Sequence, residues 1–144
     1  MAGLAETFQR IVDFIETAGN DRVDRVHTFV FDKFSPDVYS LGICVCKQTV
    51  GSNVWSQHSW CNAEDYGAKG DKDRTAMQKL VAIANAVVDA QEKGGALEGI
   101  VEHVIVGDRI WTKGVGWHAY TGEYHYHVHV DCDPNYTGVP PCAR

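Results

Sequence analysis

The 144-residue chain is long enough for one domain that buries about two thirds of the surface its unfolded form exposes, so it needs no staples to fold. With 44% hydrophobic and 22% charged residues and no apolar run of membrane-spanning length, it reads as a soluble globular protein with no membrane insertion. The net charge is −6 and Lys and Arg are scattered rather than gathered into a stripe, which argues against nucleic acid as a partner.

Leu4, Phe8, Ile11, Val12 and Ile15 recur at helical spacing before "AGN", which predicts an amphipathic helix over residues 1–19. Glu6, Arg10, Asp13 and Glu16 interrupt that segment, so it does not read as a secretory leader, and synthesis in the cytoplasm is expected. "RVHTFVFDKF" alternates and is rich in β-formers, predicting a strand over residues 25–34 in which His27 packs or faces solvent. "SPD" then turns the chain into a second strand over residues 38–47, with Leu41, Ile43 and Val45 on one face and Cys44 and Cys46 on the other. Cys44, Cys46, Cys61, Cys132 and Cys142 lack the close spacing of a small disulfide framework and the paired C-x-x-C knuckles of a structural zinc site, so they read as reduced, buried thiols.

Residues 49–73 are polar and irregular, a length of loop that in a compact domain usually serves function. Met77, Leu80, Val81, Ala84, Val87 and Val88 then mark one face of a second helix, closed by "KGG". "GIVEHVIVGDRIWT" predicts a tight hairpin about Gly107 and Asp108, with His103 structural. A Gly-rich connection, "KGVGWHAYTGEY", leads to "HYHVHVDC", and residues 133–144 read as a coil tail, a candidate linker. Helices segregated from hairpin strands predict an α+β fold, a small antiparallel sheet flanked by helices.

Alternation in "HYHVHV" sets His125, His127 and His129 on one strand face, opposite Tyr126, Val128 and Val130, with His118 seven residues upstream. Imidazoles in such a row suit metal or proton chemistry. Alternate residues advance about 6 to 7 Å, however, so His125 and His129 are not expected to share one ion, and the strand needs a ligand from elsewhere. In "WSQHSWCNAEDYG", His58 and Asp65 are seven positions apart with small residues between, which lets the chain bend back and present both.

The run Ser56, His58, Ala63, Asp65 is similar to the S-x-H-x-x-G-x-A-x-D signature of the D-Ala-D-Ala metallopeptidase family. "HVHV" resembles the H-x-H signature of the wider group that includes lysostaphin-type endopeptidases and the Hedgehog signalling domain, and "RIWTKGVGWHAYTGEYHYHVHV" resembles a segment of phage and actinobacterial proteins. The resemblance covers about half the chain. It implies a single zinc-peptidase-like domain over residues 1–144, with one zinc ion held by His58, Asp65 and His129 and with His127 beside it as general base. Glu64, Glu123, His125 and His118 are weaker candidates for that base. Tyr120 or Tyr126 can donate to an oxyanion, though packing is the commoner use of such residues.

The implied activity is zinc-dependent hydrolysis of peptide bonds in bacterial peptidoglycan, by an endopeptidase or carboxypeptidase of the phage endolysin type that acts on the cell wall after release. Two features depart from the signature. Cys61 stands where it has glycine, and would either move Asp65 off the metal or add a thiolate to it. The strand before the motif offers no obvious arginine to hold a substrate carboxylate, Arg25 and Lys47 being the candidates, which favours an endopeptidase over removal of a terminal D-Ala. Two other functions compete: a zinc-binding structural or binding protein without turnover, its site closed by Cys61, and a metal-dependent nuclease or toxin, which the acidic charge opposes.

Overall fold

Val23, Val26 and Val30 recur three and four residues apart, and in the computed structural model, which describes residues 21–49 and 51–144, all three are buried on one side of a helix. The segment expected as a strand over residues 25–34 therefore belongs to α1 (Asp21–Phe34). Its valines and phenylalanines are β-formers in isolation, but burying the helical stripe outweighs that preference, at about 1.5 to 3 kcal/mol for each large apolar side chain. Asp21 and Asp24 in the first turn and Lys33 in the last complement the helix dipole. The helix expected over residues 1–19 lies outside the described residues.

Among the described residues, six strands form one antiparallel sheet in the order β1-β2-β6-β3-β4-β5. They are β1 (Val38–Gly42), β2 (Ala63–Ala68), β3 (Val101–Gly107), β4 (Arg109–Thr112), β5 (Gly116–Ala119) and β6 (His125–Cys132), with α2 (Thr75–Ala90) between β2 and β3. The expected hairpin is present: β3 and β4 pair Val106 with Arg109, and Gly107 turns at φ +59°. Three other expectations need correction. β1 stops at Gly42, because Cys44 and Cys46 are drawn out of line into disulfides with Cys61 and Cys142. The stretch read as loop contains β2, whose "AEDYGA" is poor in β-formers and is held by pairing on both sides. The Gly-rich connection contains β5, which pairs with β4.

The disulfides also overturn the reading of the cysteines as reduced thiols. Among the described residues only Cys132 is free, and burial pushes its thiol up to about 12. Spacing along the chain does not encode this pairing, because Cys46 and Cys142 meet only after folding, 96 residues apart.

Register decides what each sheet face carries. Asp65 pairs with His129, Ile105 with His129 and His103 with Asp131, so these side chains share one face. Tyr66, Val104, Val128 and Val130 occupy the other and pack with Leu80, Ile83 and Val87 of α2 and the α1 valines into the core. The sheet is thus apolar toward its helices and polar behind. Among the described residues no helix is long and apolar enough to cross a membrane.

Candidate metal centre

The turn that carries the first donor begins at Ser56, whose hydroxyl accepts from the backbone N–H of His58 at 3.4 Å. The 3-10 turn Gln57–Trp60 closes at Cys61, whose N–H donates to the His58 carbonyl at 3.0 Å. Cys61 has φ +54°, the left-handed conformation that costs a non-glycine residue about 1 kcal/mol or more. From there the chain enters β2 and Asp65 comes back opposite His58. Cys61 thus takes the glycine-like geometry without displacing Asp65, and its sulfur is bonded to Cys44, so it adds no thiolate. Asn62 is fully buried and donates to the Cys132 carbonyl at 2.9 Å, tying the turn to β6.

Three donors converge on this side of the sheet. His58 Nε2 lies 3.0 Å from Asp65 Oδ1, and His129 Nδ1 lies 3.1 Å from the same oxygen. One ligand atom from each residue falls within 4.8 Å of the others, so His58, Asp65 and His129 can hold a metal ion. The ring nitrogens are already sorted for it. His58 Nδ1–H donates to the Ile43 carbonyl at 2.8 Å, which leaves the lone pair on Nε2. That buried nitrogen has no hydrogen-bond partner among the described residues, since its approach to Asp65 lacks hydrogen-bond alignment. A buried acceptor left orphaned beside a carboxylate is what a cation between the two would satisfy.

His129 is fixed from behind. Its Nε2 lies 3.0 Å from Asp131 Oδ2, so Nδ1 is the nitrogen presented to Asp65 and His58. Asp131 is itself buried and accepts from His103 Nδ1 at 2.9 Å and from Asn135 Nδ2 at 3.1 Å. Carboxylates placed behind a ligating imidazole in this way set its orientation and raise its basicity.

The charges follow from these contacts. Burial alone would raise the Asp65 carboxyl, but His129 and His58 beside it prevail and hold it far below the usual carboxylate range. Burial opposes charge on His129 too, yet its bonds to Asp131 and Asp65 lift it to about 9, so without metal the ring is an imidazolium between two carboxylates. Burial likewise works against the Asp131 carboxylate, and hydrogen bonds from His103 and His129 reverse it, to about 2. The hydrogen bond to Asp131 raises His103.

Around this group lies an open cleft of about 480 Å³, whose walls include Lys47, Trp55, Tyr120, Glu123, His125 and His127. His127 Nε2 stands 3.6 Å from Asp65 Oδ1, and burial pushes the ring down to about 4, leaving it neutral. His125 donates through Nδ1 to the Glu123 carbonyl at 2.7 Å, and its ring centroid is 6.4 Å from that of His129. It sits beside the three donors, not among them. Tyr120 meets His125 edge-on at 5.2 Å, and Tyr126 lies under the Lys72 ammonium at 4.1 Å.

Other residues singled out from the sequence lie elsewhere. Glu64 is buried on the helix-facing side, accepting from Tyr66 and Ser40 hydroxyls at 2.7 Å and from His27 at 2.8 Å. His118 is engaged with Thr112 at 3.0 Å on the β4–β5 hairpin. Arg25 donates to the Ala96 carbonyl, so of the two basic residues considered only Lys47 borders the cleft. Conversely, the sequence alone gives Asp131 and Asn135 no role and has His103 as structural only, yet all three bear on the site. Asp131 continues the every-second-residue series His125, His127, His129, which is a visible signal; His103 and Asn135 reach it only through register and the path of the tail. The chain has no match among protein-family models, curated proteins or solved structures.

Proposed function

We propose that this chain is a zinc peptidase that hydrolyses peptide bonds of bacterial peptidoglycan, made in the cytoplasm and acting on the cell wall after release, in the manner of the phage endolysins it resembles. The observation that carries the reading is the convergence of His58 Nε2, Asp65 Oδ1 and His129 Nδ1 beside an open cleft. A tetrahedral zinc with bonds of about 2.0 Å sets its donors about 3.3 Å apart, near the 3.0 and 3.1 Å separations here. Two neutral imidazoles and one carboxylate also leave a dication with net positive charge and a free position.

Zinc so held supplies Lewis acidity toward a carbonyl and toward water. The chain's own residues do the rest. Asp131 and Ile43 hold the two ligating rings in the required tautomers. His127, neutral and 30% exposed, offers a lone pair at the cleft wall to take a proton from water and pass it to a leaving amine. Tyr120 borders the same cleft with a hydroxyl able to donate to a developing oxyanion.

One observation favours the alternative of a zinc-binding protein without turnover: with its pKa near 4, His127 is a weaker base than an unperturbed imidazole. Zinc content and release of amino groups from purified peptidoglycan separate the two. Wild type should bind one zinc and cleave; His58→Ala, Asp65→Ala and His129→Ala should lose both, and His127→Ala should keep zinc and lose at least a hundredfold in rate. Tightly bound zinc with no cleavage by wild type would favour the alternative.

A further inference from the structure

His58 owes its position to a stretch of chain that belongs to no strand. Beyond the end of β1, residues 43–47 run beside the 3-10 turn. There the Ile43 carbonyl accepts from His58 Nδ1 at 2.8 Å, the Val45 N–H donates to the His58 carbonyl at 3.1 Å, and Ser59 Oγ donates to the Lys47 carbonyl at 2.9 Å. Of the apolar side chains in this segment, Ile43 packs against the core, whereas Val45 is 40% exposed and adds little burial. Its covalent ties are the disulfides Cys44–Cys61 and Cys46–Cys142. The first joins the residue next to Ile43 to the residue that ends the His58 turn, spanning the same two segments that the His58 hydrogen bonds connect. Cys44 is exposed while Cys61 is buried, so an incoming thiolate reaches that bond from the Cys44 side.

We propose that the metal centre is gated by redox state: the Cys44–Cys61 disulfide keeps the Ile43 end of residues 43–47 against His58 and holds the site in its binding geometry, and its reduction loosens that end and weakens metal binding. The proposal rests on the reading of His58, Asp65 and His129 as a metal site. Reduction consumes two molecules of a small thiol such as glutathione. Their sulfurs join in a new disulfide, and the two electrons and two protons they give up convert the Cys44–Cys61 bond into two thiols. Without the bond, the Ile43 carbonyl faces His58 through its hydrogen bond and the packing of the Ile43 side chain, with Cys46–Cys142 tying the segment only at its far end, so the His58 tautomer is less firmly fixed and the left-handed turn at Cys61 is free to relax. β2 and β6, which carry Asp65 and His129, are joined to each other by backbone pairing that needs neither disulfide, so the sheet outlasts the bond. A chain in reducing surroundings is then metal-poor and gains metal on reaching oxidising ones.

The test compares zinc affinity of oxidised wild type with that of the double variant Cys44→Ser/Cys61→Gly, which removes the bond, brings no free thiols to the site and puts glycine at the left-handed position. The expected result is a folded variant, by circular dichroism, that binds zinc ten- to a hundredfold more weakly. Equal affinity would overturn the gating and leave the metal site standing, whereas oxidised wild type that binds no zinc would overturn both. An unfolded variant would also overturn it, because the sheet is claimed to persist. Linkage demands the reciprocal effect in the wild type: saturating zinc should make the bond harder to reduce in glutathione buffers, by about 30 mV for each tenfold in affinity. A shift of opposite sign, with zinc favouring the reduced form, would contradict the proposal.

Discussion

His129 has a carboxylate on each ring nitrogen, and for metal to take Nδ1 the proton there must leave. Its pKa of about 9 lies above the ordinary 6.5, so metal binding competes with a proton throughout the neutral range. Zinc affinity should therefore rise about tenfold per pH unit up to about pH 9 and flatten above it, measurable by competition with a chromophoric chelator. Affinity independent of pH between 6 and 8 would mean that His129 is not the ligand. Asp131 acts on the same ring from behind. Replacing it with asparagine removes a charge without changing shape much, and zinc affinity should fall ten- to a hundredfold while His58 and Asp65 stay in place. The three residues that can hold a metal ion, His58, Asp65 and His129, were legible because the signature names residue types at fixed spacing. Asp131 and His103 were not, because a carboxylate two positions on and an imidazole on another strand acquire a shared role only through register.

At the scale of elements, the site depends on a sheet whose far face is closed by α1 and α2. Leu80 of α2 is 2% exposed and sits in the core with Ile83 and Val87. Leu80→Ala should cost about 2 to 5 kcal/mol of stability in denaturant titration and leave the zinc affinity of the folded fraction unchanged, since the donors lie on the opposite face. A large loss of affinity would show that the two faces are coupled. Element type was readable where one signal dominated, as in α2 with its apolar stripe and in the β3–β4 hairpin with Gly107. It misled in α1, where Val26, Phe29, Val30 and Phe31 satisfy an alternating and a helical pattern alike, and the helical one buries more. β2 was hidden because Glu64 and Asp65 are strand-averse types. Each is matched in the fold, Glu64 by three donors toward the helices and Asp65 by the imidazoles behind.

For the molecule as a whole, the sheet divides labour between its faces. Of the seven histidines in the chain, His103, His118, His125, His127 and His129 are carried by its strands, and His58 reaches the same polar side from the 3-10 turn. The α+β class and the antiparallel sheet were legible from the segregation of helical and alternating stretches. The cysteine pairing was not, since it joins a strand end to a turn and to the tail, contacts that spacing does not encode. The most direct test of the metal centre is X-ray absorption at the zinc edge on the loaded, oxidised protein. Scattering from two imidazoles and light oxygen ligands near 2.0 Å, lost in Asp65→Ala, is the expected result. A sulfur shell near 2.3 Å, or no bound zinc, would contradict the assignment of His58, Asp65 and His129.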